Sequence, residues 1–161
     1  MATTPAEPIT SPLSSDAQQT VGAVLQDTLA DLVDLSLIAK QAHWNVVGRN
    51  FREAHLHLDE LVDLARGYAD DVAERAATLG VSPDGRAATV AKTSGLPAFD
   101  EGWRSVDDVT AAVVALLETL IARFRERIEA TDEPDPVTQD LLIGMTAKLE
   151  EAHWMWQAKT A

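Results

Sequence analysis

Residues His43 to Arg75 read HWNVVGRNFREAHLHLDELVDLARGYADDVAER. The stretch opens with the end of one helix, breaks around Asn45 and Gly48, and then continues for some thirty residues without a proline. An uninterrupted helix of that length spans about 45 Å. Its polar residues follow a pattern. His55 and Asp59 are four apart, as are Asp70 and Glu74, and a four-residue step keeps side chains on one helix face. The step from Asp59 to Asp70 is close to three turns and rotates the face by only about 20°. All four groups therefore share one band, and His43 on the preceding helix supplies a further imidazole.

Length along this band matters as much as direction. The centres of the two pairs lie about fifteen residues apart, or roughly 22 Å on a straight helix. Metal–ligand bonds are about 2 Å long, so the two pairs cannot share a metal within one chain. They can if a second copy lies antiparallel across a two-fold axis, which creates two equivalent sites at once. If these residues are ligands, their spacing predicts at least a dimer.

The run K-x-x-H-W-N-x-x-G-x-x-F-x-x-x-H-x-x-x-D from Lys40 to Asp59, followed by D-x-x-x-E at Asp70 and Glu74 and then Arg75, resembles the signature of the Dps family of mini-ferritins. The resemblance covers roughly residues 16–158. It implies an all-α, ferritin-like four-helix bundle with a long crossover between the second and third helices, assembled into a dodecameric hollow shell. It implies a ferroxidase that oxidises Fe(II), preferably with hydrogen peroxide, and stores ferric mineral as protection against oxidative stress. The family's iron site holds two irons between two-fold-related subunits. Carried over by position, His43, His55 and Asp59 match the ligands of one subunit, and Asp70 and Glu74 those of its partner. Trp44 matches a tryptophan beside the site.

Bulk properties agree with one such domain. The chain has 161 residues, enough for a single core of ordinary size. It has no cysteine, which excludes disulfides and thiolate zinc sites and fits a reducing cytoplasm. The start, MATTPAEPITSPLSS, has neither the basic beginning nor the apolar run of a secretory signal, and no apolar stretch is long enough to span a membrane. Twenty-six acidic against 13 basic residues give a formal charge of −13, which attracts cations and repels phosphate. Solubility alone is a sufficient reason for an acidic surface. Beside a carboxylate-rich motif, cation attraction gains weight.

Residues 1–15 read as a flexible tail, with Pro5, Pro8 and Pro12 among Ser and Thr. Some Dps proteins bind DNA through lysine-rich tails. This tail has no Lys or Arg, and the C-terminal QAKTA offers only Lys159, so neither supplies the phosphate contacts on which non-specific affinity rests. The bundle domain is expected over 16–159. The first helix runs from near Ser15 to about Val46, with Val21, Val24, Leu25, Leu32, Leu35 and Ala42 on its apolar face. The second buries Phe51, Leu58, Val62, Ala65 and Val72. His57 is two positions from His55, points elsewhere and reads as a surface or interface residue. Arg75 is expected to pair with a carboxylate across an interface.

Residues 80–104 hold Gly80, Pro83, Gly85, Gly95, Pro97 and Gly102. They read as a crossover of the length a ferritin-like connection needs, with a short helix near Ala87–Lys92 or Pro97–Glu101 and anchors at Phe99 and Trp103. Ser105 before Asp108 marks the third long helix, whose Arg123, Arg125 and Arg127 interleave with Glu118, Glu126 and Glu129 as a solvated, salt-bridged face. Asp135 before Pro136 reads as the cap of the fourth helix, which runs to about Lys159. The family's shells admit iron through acidic pores near this helix start, for which Asp135 and Asp140 are the candidates. Glu150-x-x-His153 is one unit of the pattern that di-iron bundles use twice. No second unit is present, so an intrasubunit di-iron site is not expected, and His153 and Trp154 read as packing or subunit contacts.

Iron accepts mixed imidazole and carboxylate ligands, and zinc can compete for the same set. Two further readings compete with the ferroxidase. One is a DNA-binding nucleoid-protection protein with a secondary iron role, which the tail composition and the charge oppose. The other is a helical interaction module without metal.

Overall fold

The computed structural model describes residues 8–159. Residues 1–7 of the expected tail, and the last two residues, lie outside the described part. Five helices form: α1 (Ser15–Asn45), α2 (Phe51–Thr78), α3 (Ala87–Thr93), α4 (Val106–Thr131) and α5 (Pro136–Gln157). The long four make the bundle. Helices α1 and α2 pack as one hairpin and α4 and α5 as another, with α1 also against α4 and α2 also against α5. Two short strands, β1 (Val46–Val47) and β2 (Arg104–Ser105), pair in parallel, with Val46 opposite Arg104. They tie the corner after α1 to the end of the crossover.

Helix starts follow local chemistry. Ser14 caps α1 by accepting from the Ala17 N–H at 3.3 Å, and Ser105 caps α4 by accepting from the Asp108 N–H at 3.1 Å. Asp135 caps α5, whose first residue is Pro136. Each cap satisfies an N–H that the helix itself leaves without a partner. Inside, Leu25, Leu32, Leu35, Leu58, Leu117, Leu120, Phe124, Leu142, Leu149 and Trp156 are fully buried. The bundle is held chiefly by this leucine-rich interior, since a fully buried Leu contributes about 1.5–3 kcal/mol over an exposed one.

Several expectations need correction. Phe51 and Trp103 were expected inside and are exposed. Phe51 is the first residue of α2, and Trp103 follows Gly102, whose positive φ of 86° turns the chain outward. Phe99 does pack against the core. The short crossover helix is Ala87–Thr93, and residues 97–101 are not helical. Arg123 and Arg127 are not on a solvated face. Arg127 is buried and bonds the fully buried Asp31 at 2.5 Å, and Arg123 reaches the same carboxylate at 2.8 Å. Arg125 alone behaves as expected, pairing with Glu150 near the surface.

The crossover is tied down by α1. The Gln26 side-chain amide makes two hydrogen bonds with the Asp84 backbone, each 2.9 Å long. The Gly95 N–H donates to Asp31 at 2.9 Å, and the Ser94 hydroxyl to Asp34 at 2.5 Å. No helix of the described residues is long and apolar enough to cross a membrane.

Candidate metal half-site

The site begins with the corner that separates α1 from α2. Val46 ends α1 in an extended conformation, Gly48 has φ of 110° and Asn50 has φ of 62°. Such positive φ values suit glycine and, among other residues, asparagine best. This tight reversal returns α2 directly alongside the last turns of α1. It sets His43, on the final turn of α1, against His55, on the second turn of α2.

The two imidazoles stack, with centroids 3.5 Å apart and planes 24° from parallel. Their Nδ1 atoms are spent reciprocally. His43 Nδ1 lies 2.8 Å from the His55 carbonyl oxygen, and His55 Nδ1 lies 2.9 Å from the His43 carbonyl oxygen. A carbonyl only accepts, so each Nδ1 carries the proton. In the neutral ring the lone pair is then on Nε2, the form that binds a metal.

Asp59, one turn beyond His55, completes the group. Its Oδ1 is 3.2 Å from His43 Nδ1 and 2.5 Å from Lys40 Nζ. The Lys40 hydrogen bond, aided by the Lys40 charge, holds the Asp59 carboxyl below its ordinary range against the opposing effect of burial. His43 is buried, while Asp59 is more open. The ensemble is a partly covered set of one carboxylate and two imidazoles, with the Lys40 ammonium balancing the carboxylate.

The other sequence-marked pair stands apart. Asp70 and Glu74 lie farther along α2, both exposed. Among the described residues, no three His, Asp or Glu side chains gather into a group that could hold a metal ion. His43 does touch both others, stacking on His55 and approaching Asp59 Oδ1, while Asp70 and Glu74 lie farther along α2. Trp44 is 62% exposed, next to a groove of about 550 Å³ lined by Leu37, Ile38, Gln41, Leu96 and Phe99 among others.

The remaining marked residues are placed as follows. Asp135 is buried. Arg75 donates to it at 2.7 Å, and its carboxylate also takes the Thr138 hydroxyl and the Val137 N–H. This replaces the expected pairing of Arg75 across an interface, because the α5 cap lies within reach in the same chain. It also commits Asp135 as a cap, leaving Asp140 as the exposed acid of the two. His57 is half-buried and stacked flat on Trp156, 4.4 Å between centroids. Burial, with the nearby Lys159 charge, pushes the His57 imidazole below its ordinary value. His153 is partly buried, and its Nε2 has no hydrogen-bond partner. Lys40 is the residue at this site that motif reading left without a role. Its place three residues before His43 puts both on one face of α1, which is the signal that could have found it.

Comparison with known proteins converges. The model of the ferritin-like domain family matches residues 22–160. A DNA protection during starvation protein of Mycolicibacterium smegmatis is 39% identical over 146 residues, covering 91% of this chain and 80% of that protein. One of Agrobacterium fabrum is 31% identical, covering 91% of each chain. Among solved structures, the tetragonal form of Mycobacterium smegmatis Dps superposes with a TM-score of 0.89 at 36% identity, over 99% of this chain and 94% of that one. Dps from Microbacterium arborescens in its high iron form gives 0.88 at 28% identity, over 94% and 98%.

Proposed function

The chain belongs to the Dps family of the ferritin-like superfamily, and from that premise we propose that it is a ferroxidase and iron store whose sites form between two subunits. The family role is iron storage and DNA protection. The finer reading rests on one observation: His43 touches both His55 and Asp59, with each imidazole Nδ1 committed to a backbone carbonyl, while Asp70 and Glu74 lie farther along α2. An antiparallel second copy supplies the missing half. The exposed groove beside Trp44, with Leu37 and Phe99, is the apolar surface such a copy would cover. A dodecameric shell is the assembly proposed, with each two-fold contact building two sites.

In this reading Fe(II) is a substrate. Two ferrous ions held together each give one electron to one hydrogen peroxide. The O–O bond breaks, two protons are taken up, and two waters leave. Pairing the irons avoids the one-electron cleavage that releases hydroxyl radical. His43 and His55 supply neutral nitrogen donors, Asp59 and Glu74 the strongest anionic ones, and Asp70 assists the second iron. Trp44 can donate an electron where only one iron is loaded. Zinc would compete for the same donors. The acidic surface, −13 per chain, raises the local concentration of ferrous iron, and Asp140 remains a candidate at an entry pore.

The test is Fe(II) oxidation by stoichiometric peroxide, followed by absorbance, together with native mass. A shell that oxidises about two irons per peroxide, and loses this in the His43→Ala/Asp59→Ala double variant, supports the reading. An unchanged rate in that variant, or a monomeric mass, defeats it.

A further inference from the structure

The bond between Lys40 and Asp59 is one-sided. Lys40 Nζ sits 2.5 Å from Oδ1, and His43 Nδ1 is 3.2 Å from the same oxygen. Among the described residues nothing bonds Oδ2. One oxygen of the carboxylate is thus saturated by positive or donor groups, and the other is open. Lys40 itself is only 26% exposed and has no other partner among the described residues. Its ammonium is therefore a fixed charge of the site and not a mobile surface group.

We propose that Lys40 is a positioning residue that grips Asp59 through Oδ1, presents Oδ2 to iron, and by its permanent charge helps expel the oxidised product. The inference rests on the ferroxidase reading above. A metal bonded to Oδ2 at about 2 Å lies within roughly 6 Å of the ammonium. Coulomb repulsion scales with the charge of the ion. The ammonium therefore opposes a ferric ion about half again as strongly as a ferrous one at the same place. Carboxylates alone do the reverse and hold the trivalent ion tighter. A site built only from them would oxidise its first irons and keep them. The ammonium shifts the balance towards release, so the product moves on to storage and the site reloads.

Removing the charge while keeping a polar, hydrogen-bonding side chain separates these roles. In the assembled shell, Lys40→Gln, which loosens the grip on Asp59 Oδ1 as well as removing the charge, is expected to weaken binding of Zn(II), the redox-inert probe, only slightly and to slow the first oxidation only slightly. When Fe(II) and peroxide are supplied in excess of the sites, its later turnovers should slow by about tenfold. Lys40→Arg, which restores charge, should recover multiple turnover. Native mass confirms that both variants assemble. If Lys40→Gln turns over repeatedly at the parent rate, or if it loses the first oxidation and the later ones equally and Lys40→Arg does not recover them, the inference is overturned. If the parent shell itself neither binds Zn(II) at these residues nor oxidises Fe(II), it is the ferroxidase reading that fails, and the two failures are told apart.

Discussion

His43 and His55 exchange hydrogen bonds: the Nδ1 of each faces the backbone carbonyl of the other, at 2.8 and 2.9 Å, across rings stacked 3.5 Å apart. The arrangement fixes two things with the same atoms. It pins the last turn of α1 to the second turn of α2, and it sets the tautomer that leaves both Nε2 atoms as donors. Helix packing and the proposed metal chemistry are therefore coupled at this point. Neither ring can be removed without disturbing the other.

That coupling has a measurable form. His43→Ala and His55→Ala should each weaken Co(II) or Zn(II) binding by about 100-fold, since each removes a donor and also the group that orients the other ring. The double variant should lose less than the product of the two, because the surviving ring in each single variant is already misplaced. The stability cost of each single change should be about 1 kcal/mol, the usual net worth of a hydrogen bond. Isothermal titration of all four proteins closes the cycle. Strict additivity would show that the rings act independently.

Asp135 gives the molecule an acid-sensitive joint. Burial by itself would push its carboxyl up, but the Thr138 hydroxyl, the Arg75 guanidinium and the Val137 N–H together hold it below its ordinary value. A depressed folded-state pKa means that the carboxylate contributes stability above the unfolded-state value of about 3.9. The contribution is lost as pH falls below that value, through the lower folded one. Asp135→Asn should therefore be less stable than the parent at pH 7 by about 1–3 kcal/mol, and the difference should shrink steadily from about pH 4 downward. Urea midpoints at fixed protein concentration, taken from pH 7 to pH 3, measure it. A difference that stays constant over this range would place the stabilisation elsewhere.

The buried charges behind the crossover should be the most sensitive positions outside the site. Asp31 is fully buried and is shared by Arg127, Arg123 and the Gly95 N–H. Removing one member strands the others, so Asp31→Ala should cost about 3–5 kcal/mol. Gly95→Ala offers a gentler probe. A Cβ there would collide with the Arg123 guanidinium, which can move only by giving up Asp31. A loss of about 1–2 kcal/mol is expected, and it should vanish in an Arg123→Ala background. Thermal denaturation of the four proteins reads this directly.

The bundle was legible from apolar spacing and caps. Ser105, Asp135 and the leucine faces are local signals, and they fall where the helices begin and bury. The grouping of His43, His55 and Asp59 was legible because four-residue steps and a short corner leave little freedom. Arg127 was misread for a physical reason. Its neighbours in sequence, Glu126 and Glu129, suggest a surface face, but its partner Asp31 is 96 positions away, and no local pattern announces a buried pair of that kind. Arg75 was misread similarly, because its partner Asp135 belongs to a helix cap 60 positions on. Trp103 and Phe51 follow residues with positive φ, and an apolar residue type alone does not say that a turn has carried it outward.

The proposed division of the site between two chains makes its own prediction. A variant with His43→Ala and His55→Ala keeps Asp70 and Glu74. A variant with Asp70→Ala and Glu74→Ala keeps His43, His55 and Asp59. Each shell alone should be nearly inactive. When the two are unfolded together in equal amounts and reassembled, a site is intact only if its first half comes from the second variant and its second half from the first. Random pairing across a two-fold axis makes about one site in four of that kind. Peroxide-driven Fe(II) oxidation should therefore recover to about a quarter of the parent rate, and separately refolded shells mixed afterwards should recover none. Ligation within a single chain predicts no recovery under either protocol.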